Sequence, residues 1–202
     1  MAKRPVVNYE EVLKAIDQES DRGCVLVGAA WMEDHLRKAI EAAIGELNTY
    51  GFQVVPKDEY DSLMRSVLDG ALGRAGNRIN FCRAIGIIDS RTVDALNALF
   101  QLRNEHFAHF AGVSRLNDPR VSQKLKEFIS AAHDPKDRKY RLTVLERKRY
   151  SKSRYDFMVA YRSLVITILE NRNSLMDGIN VRHRQHIDLL AQRLQEKRTK
   201  PT

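Results

Sequence analysis

Apolar residues recur at every third or fourth position over long stretches of this chain of 202 residues. Side chains three or four positions apart share one face of an α-helix, so this spacing predicts amphipathic helices. Ser20 or Asp21 is a suitable N-cap for the longest of them. Its apolar face consists of Val25, Ala29, Met32, Leu36, Ile40, Ala43 and Leu47. The chain is thereby constrained to a fold of packed helices.

Local start and stop signals divide the rest of the chain into further predicted helices. Asp89 is predicted to cap one helix, Gly86 to end another, and Asp118 followed by Pro119 to begin a third. Gly178 is predicted to break the C-terminal helical pattern into two helices. The spacing covers residues 9–19, 58–68, 77–85, 90–110, 119–129, 157–171 and 187–194.

The predicted fold class is therefore all-α. We expect a helical bundle over residues 9–130. Residues 131–197 are expected to form a basic loop or hairpin and two additional C-terminal helices, belonging to the same or to an appended unit. Residues 198–202 are expected to be a disordered tail.

Three glycines, Gly70, Gly73 and Gly76, interrupt the helical pattern. Glycine-rich loops can hold a phosphate with bare backbone amides, but a nucleotide-binding loop should follow a strand. The pattern before Gly70 is helical. We therefore interpret the glycines as a hinge between helices.

Composition limits the cellular setting. The apolar fraction of 43% is enough for a real core. Cys24 and Cys82 lie far apart without a secretory signal, which predicts free thiols in the cytoplasm. The most apolar run, residues 24–31, is shorter than the roughly 20 residues that span a bilayer, so we expect no membrane insertion. A formal net charge of +8 favours a phosphate-rich partner or simply maintains solubility.

An arginine interrupts the apolar face of the helix predicted over residues 90–110. Arg103 stands where the spacing expects an apolar residue, and Asn104, His106 and His109 follow it. At about 100° per residue, Arg103 and His106 are neighbours in a regular helix, whereas His109 lies well off that face. Either the helix loosens near Ala108, or His106 replaces His109, or the pair never acts together.

A purely structural role for Arg103 is a serious alternative. A buried arginine is stable when a carboxylate pairs with it, and Asn104 and His109 could bond helix ends. The candidate partners are Glu33, Asp34 and Asp89.

Several short motifs occur in a fixed order between residues 20 and 128. They are Ser20-Asp21-Arg22-Gly23, an acidic Glu33 or Asp34, Asn77-Arg78-Ile79, Ala84-Ile85-Gly86-Ile87-Ile88-Asp89, Arg103-Asn104, Phe107-Ala108-His109 and Asp118-Pro119. Together they resemble the mannitol operon repressor family. The resemblance implies an all-helical fold and a non-enzymatic regulatory or partner-binding role. The chain departs from the family in its basic extension after residue 135 and in what looks like one extra residue, His106.

Arg103, Asn104 and His109 also resemble the signature of HEPN-type ribonucleases. This resemblance implies metal-independent RNA cleavage by a toxin or defence protein, in which histidine moves a proton and arginine holds the phosphate. His106 is a supporting candidate. Such sites lie between two protomers, so a homodimer is implied.

A basic stretch over residues 136–154 offers a further hypothesis. Cations interleaved with tyrosines can follow a phosphate backbone and stack on bases, so this stretch is a candidate binding site for RNA or DNA, although a solvated hairpin is an equal alternative. The candidate residues are Lys136, Arg138, Lys139, Arg141, Arg147, Lys148, Arg149 and Lys152.

Two histidine pairs, His106 with His109 and His183 with His186, have the spacing of metal ligands on a helix. Neither pair has the glutamate or the third ligand of a common zinc site. We therefore predict no metal and no cofactor.

Overall fold

The computed structural model describes residues 9–47, 57–109, 113–132 and 149–199, with side chains placed only as far as 178 in the last range. The prediction of an all-α fold is confirmed: these residues form seven α-helices and two shorter helical turns. A π-helical turn, Leu102–Phe107, follows α5, and a 3-10 turn, Pro119–Val121, precedes α6. The α-helices are α1 (Tyr9–Gln18), α2 (Asp21–Leu47), α3 (Lys57–Asp69), α4 (Ala75–Ala84), α5 (Ser90–Gln101), α6 (Ser122–Ala132) and α7 (Lys152–Thr199).

The two longest helices, α2 and α7, run parallel. The Arg154 guanidinium donates to the Asp21 carboxylate at 3.2 Å, and the Tyr161 hydroxyl donates to the Gly28 carbonyl at 2.9 Å. Both bonds join residues 133 positions apart, so the two helices advance together in one direction. A Cβ atom at Gly28 would lie 2.9 Å from Tyr161 Cε2. The bare glycine therefore permits the close approach of α7.

One continuous core includes both the bundle and the first half of α7. Buried residues extend from Ile16 in α1 to Ile168 in α7. Within this core the Phe157 ring lies 5.3 Å from Phe128 and 6.0 Å from Tyr161, measured between ring centroids. The segment of α7 up to Ile168 thus shares the core of the other helices.

Local signals in the sequence act as predicted. The Asp89 carboxylate accepts from the Thr92 amide at 2.7 Å and begins α5. Gly86, with a φ of 78°, follows the end of α4. The Asp118 side chain accepts from the Arg120 amide and begins the 3-10 turn that leads into α6. Gly70 and Gly73 lie in the connection between α3 and α4, whereas Gly76, which the hinge interpretation includes, is the second residue of α4.

The prediction that Gly178 separates two C-terminal helices is wrong. Helix α7 runs unbroken from Lys152 to Thr199. A glycine inside a helix costs only about 1 kcal/mol relative to alanine, which the neighbouring turns of a long helix can offset. The helix also enters the expected tail, since it ends at Thr199; residues 200–202 lie outside the described residues.

Both cysteines are free, as predicted, and both are buried. Burial raises the pKa of each thiol to about 12, so both stay protonated at neutral pH. Among the residues described, no helix combines the length and the apolar character needed to cross a membrane.

His35 lies inside the bundle, where burial, reinforced by the Arg172 charge, lowers its pKa to about 4. Its ring stacks on Trp31 with 4.6 Å between centroids. The imidazole is therefore neutral at physiological pH and acts as a packing group on α2.

We predict that Gly28→Ala destabilises the protein by about 1–3 kcal/mol, although alanine favours helix, because the new methyl group overpacks against Tyr161. The matched control is Gly76→Ala, since a Cβ atom at Gly76 meets nothing within 4 Å. Gly76→Ala should be neutral or stabilising by up to about 1 kcal/mol. Urea unfolding followed by circular dichroism measures both changes. Equal effects of the two substitutions would contradict the close packing of α2 on α7.

Candidate functional site around Arg103

The chain widens into a π-helical turn where the candidate catalytic residues lie. The Ala108 amide donates to the Arg103 carbonyl, five residues earlier, at 2.7 Å. A bond of this span holds one more residue in the turn than an α-helical bond does. The helix is thus loosened just before Ala108, which is one of the alternatives open from the sequence.

Glu33 on α2 holds the Arg103 guanidinium. Nη1 donates to one Glu33 oxygen at 2.9 Å, and Nη2 lies 3.5 Å from the other. Nε donates to Asn104 Oδ1 at 2.9 Å, and the guanidinium lies 5.2 Å from the centre of the Phe100 ring. The Arg103 side chain keeps 21% of its surface exposed. It is therefore paired with a carboxylate, as the structural alternative expects, without being sealed from solvent.

The other two carboxylates proposed for Arg103 have different roles. Asp34 forms an ion pair with Lys38 at 2.6 Å. Asp89 caps α5. Hydrogen bonding to Thr92 lowers the pKa of the Asp89 carboxyl group.

The two histidines occupy different environments. His109 is exposed just after the π-helical turn, and His106 is half-buried. The His106 carbonyl accepts from the Val113 amide at 2.9 Å. Hydrogen bonds from Arg120, with a smaller contribution from the His106 charge, lower the pKa of Asp118 to about 2. The structure thus joins Arg103 to Asn104 and places His106 near Asp118. Within the described ranges, Arg103 donates no hydrogen bond to a histidine.

Only two of the predicted nucleic-acid-binding residues are among those described. Arg149 is 67% exposed, and Lys152 is the exposed first residue of α7. The other six predictions lie outside the described residues: Lys136, Arg138, Lys139, Arg141, Arg147 and Lys148.

A cleft of about 680 Å³ lies away from Arg103, where α1 ends and α2 and α7 begin. Sequence reasoning did not predict it. Ser20 and Ser151 accept hydrogen bonds from the amides of Gly23 and Arg154, in the first turns of α2 and α7. Such cap residues are visible in a sequence, but their convergence depends on the parallel packing of the two helices.

Metal-ligating side chains do not cluster within the part of the chain that the structure describes: no group of three or more His, Cys, Asp or Glu residues could hold an ion there. The side chains of His183 and His186 lie outside that part.

No family model, curated protein or solved structure matches the chain significantly.

We predict that Glu33→Gln lowers the free energy of unfolding by about 1–2 kcal/mol, because it leaves the partly buried guanidinium of Arg103 without its counter-charge. The matched control is Glu59→Gln on the exposed surface of α3, where the change should stay within about 0.5 kcal/mol. Chemical denaturation measures both. If Glu33→Gln behaves like the control, the ion pair contributes nothing to stability.

Proposed function

We propose that the protein is a non-enzymatic regulatory protein that works by binding a protein partner, in the manner implied by its resemblance to mannitol operon repressors. A homodimer formed through the C-terminal part of α7 is the assembly we propose. The observation that carries the proposal is the length of α7 relative to the bundle.

Helix α7 extends well past the end of α2. It has 48 residues, roughly 72 Å of helix, against 27 residues in α2. Residues of α2 and α7 that lie side by side are 133 positions apart in the sequence. By this register, Leu47 at the end of α2 is level with position 180 of α7. About 19 residues, or roughly 29 Å, therefore continue beyond α2.

A helical extension of this length supports a role in association. Isolated helices of fewer than about 15 residues are marginal in water, and longer ones gain most of their stability from packing. The sequence of the extension places Ile187, Leu190 and Leu194 at helical spacing. A helix from a second copy of the chain would cover such a face.

The environment of Arg103 also favours a role without catalysis. A catalytic arginine must direct its charge at the substrate phosphate. Here the Glu33 carboxylate, 2.9 Å from Arg103 Nη1, already offsets that charge, and Asn104 Oδ1 accepts the hydrogen bond from Nε. The π-helical turn would then serve to dock α5 on α2.

We predict that wild-type protein is a dimer and that Leu190→Asp combined with Leu194→Asp makes it monomeric, because buried carboxylates would disrupt an apolar helix pair. Sedimentation velocity of the full chain measures the mass. The control combines Gln185→Asp with Gln192→Asp, which adds the same charge on the opposite helical face and should leave the dimer intact. A wild type that stays monomeric at all concentrations contradicts the proposed assembly.

A HEPN-type endoribonuclease is the second candidate, with Arg103, Asn104 and His109 as the catalytic residues and His106 in support. The observation that favours it is the π-helical turn itself, since such turns occur frequently at functional sites. The exposure of Asn104 and His109 is compatible with a site completed by a second protomer.

If this candidate is right, purified protein cuts RNA in EDTA, and Arg103→Ala or His109→Ala reduces the rate at least about 100-fold, as expected for loss of a charge-stabilising or proton-transferring group. Arg83→Ala, at an exposed position on α4, is the control and should keep full activity. Gel analysis of labelled RNA measures cleavage. Intact RNA with wild-type protein, or equal rates in all variants, rules the ribonuclease out.

Nucleic-acid binding without cleavage is a third proposal, supported by the exposure of Arg149 and Lys152. The same RNA experiment distinguishes it. RNA that is retained but not shortened, with an affinity that falls steeply as salt rises, would identify a binding protein.

A further inference from the structure

The cleft at the start of α2 and α7 has the size of a small-molecule site. Its volume of about 680 Å³ falls within the roughly 300–1,000 Å³ typical of such sites. Its walls come from the end of α1, the beginnings of α2 and α7, and the segment before Asp118. Ligand binding there would touch four separate parts of the chain.

One wall of the cleft is acidic. Asp17 lies in the last turn of α1, and Glu19 follows that helix. Asp17 Oδ1 is buried and has no hydrogen-bond partner among the residues described. Since Oδ1 has no accessible surface, a ligand in the cleft meets the rest of the Asp17 side chain, which keeps 25% of its surface exposed.

Two arginines also line the cleft. Arg115 is exposed, and the Arg149 side chain keeps 67% of its surface exposed. Arg149 Nη1 lies 3.9 Å from Asp17 Oδ2, so these side chains form an ion pair without a hydrogen bond. Their hydrogen-bonding atoms are therefore not used on each other. Asn117 adds an amide to the lining.

A third arginine in the cleft is already committed to the fold. Arg154 donates to Asp21 at 3.2 Å and to the carbonyls of Ile16 and Asp17 at 3.3 and 3.0 Å. Asp21 in turn accepts from the Leu116 amide at 2.9 Å. This pair is charge-balanced, so the charges left for a ligand are those of Asp17, Glu19, Arg115 and Arg149.

We propose that this cleft binds a small zwitterion of the α-amino-acid class, either free or as a short peptide. Its ammonium group would donate to Asp17 and Glu19, and its carboxylate would accept from Arg115 and Arg149. A ligand with one charge alone would meet like charges in the lining, whereas a zwitterion complements both signs of charge. This inference is independent of the function proposed above, since it uses neither Arg103 nor the C-terminal part of α7.

The first test compares probes that carry one or both charges. Full-length protein is titrated with each of the twenty proteinogenic amino acids and with diglycine, and the unfolding temperature is recorded. At least one probe should raise that temperature in a concentration-dependent way. Acetate and methylammonium at the same concentrations should raise it less. No shift with any probe overturns the proposal, and an equal shift with acetate replaces it with a simple anion site.

The second test locates the binding with matched variants. Calorimetric titration with the best probe should show at least tenfold weaker binding for Arg115→Gln and for Glu19→Gln. The controls Arg83→Gln and Glu59→Gln make the same charge changes at exposed positions on α4 and α3 and should bind like wild type. Arg115 and Glu19 line the cleft, whereas Arg83 and Glu59 do not. Unchanged affinity in the two cleft variants, with the fold verified by circular dichroism, overturns the assignment.

Discussion

The Arg154 guanidinium is the interaction on which the arrangement of the helices depends. It closes the C-terminal end of α1 through the carbonyls of Ile16 and Asp17 and pairs with Asp21 at the start of α2. Asp21 also holds the Leu116 amide, from the segment ahead of α6. A partly buried guanidinium is stabilised by the acceptors that its donors reach, and here the end of α1 and the start of α2 supply three of them, while Nε has no hydrogen-bond partner among the described residues. The first turn of α7 is thereby fixed against the rest of the bundle.

This anchoring determines what the long helices can do. The contact between Tyr161 and Gly28, one heptad further along both helices, keeps α2 and α7 parallel. Parallel helices bring their N-terminal ends together, and the cleft lies where these ends meet the end of α1. The same register leaves the end of α7 beyond the end of α2. The proposed ligand site and the proposed association surface therefore lie at opposite ends of one helix pair.

The Arg103 segment illustrates how a loosened helical turn can alter a candidate site. A π-helical turn spans Leu102–Phe107 and includes Arg103 and His106. Arg103 still reaches Glu33, which shows how a polar side chain in an apolar stripe is tolerated: its charge is met by a carboxylate on the facing helix. In the partner-binding proposal, the ion pair with Glu33 is the structural role of Arg103. In the ribonuclease proposal, it is the arrangement of Arg103 before a second protomer completes the site.

The sequence alone determined the features that arise within a few residues. Periodicity gave the helices, and Asp89, Gly86 and Asp118 marked their ends, because caps and turns use bonds between near neighbours. It narrowed the partner of Arg103 to three carboxylates but did not select Glu33. Only the tertiary structure decided that choice, the continuity of α7 through Gly178, and the cleft. The choice of Glu33 and the cleft depend on which distant surfaces pack together. The continuity of α7 depends on the helical turns on either side of the exposed Gly178, which offset a local preference of about 1 kcal/mol.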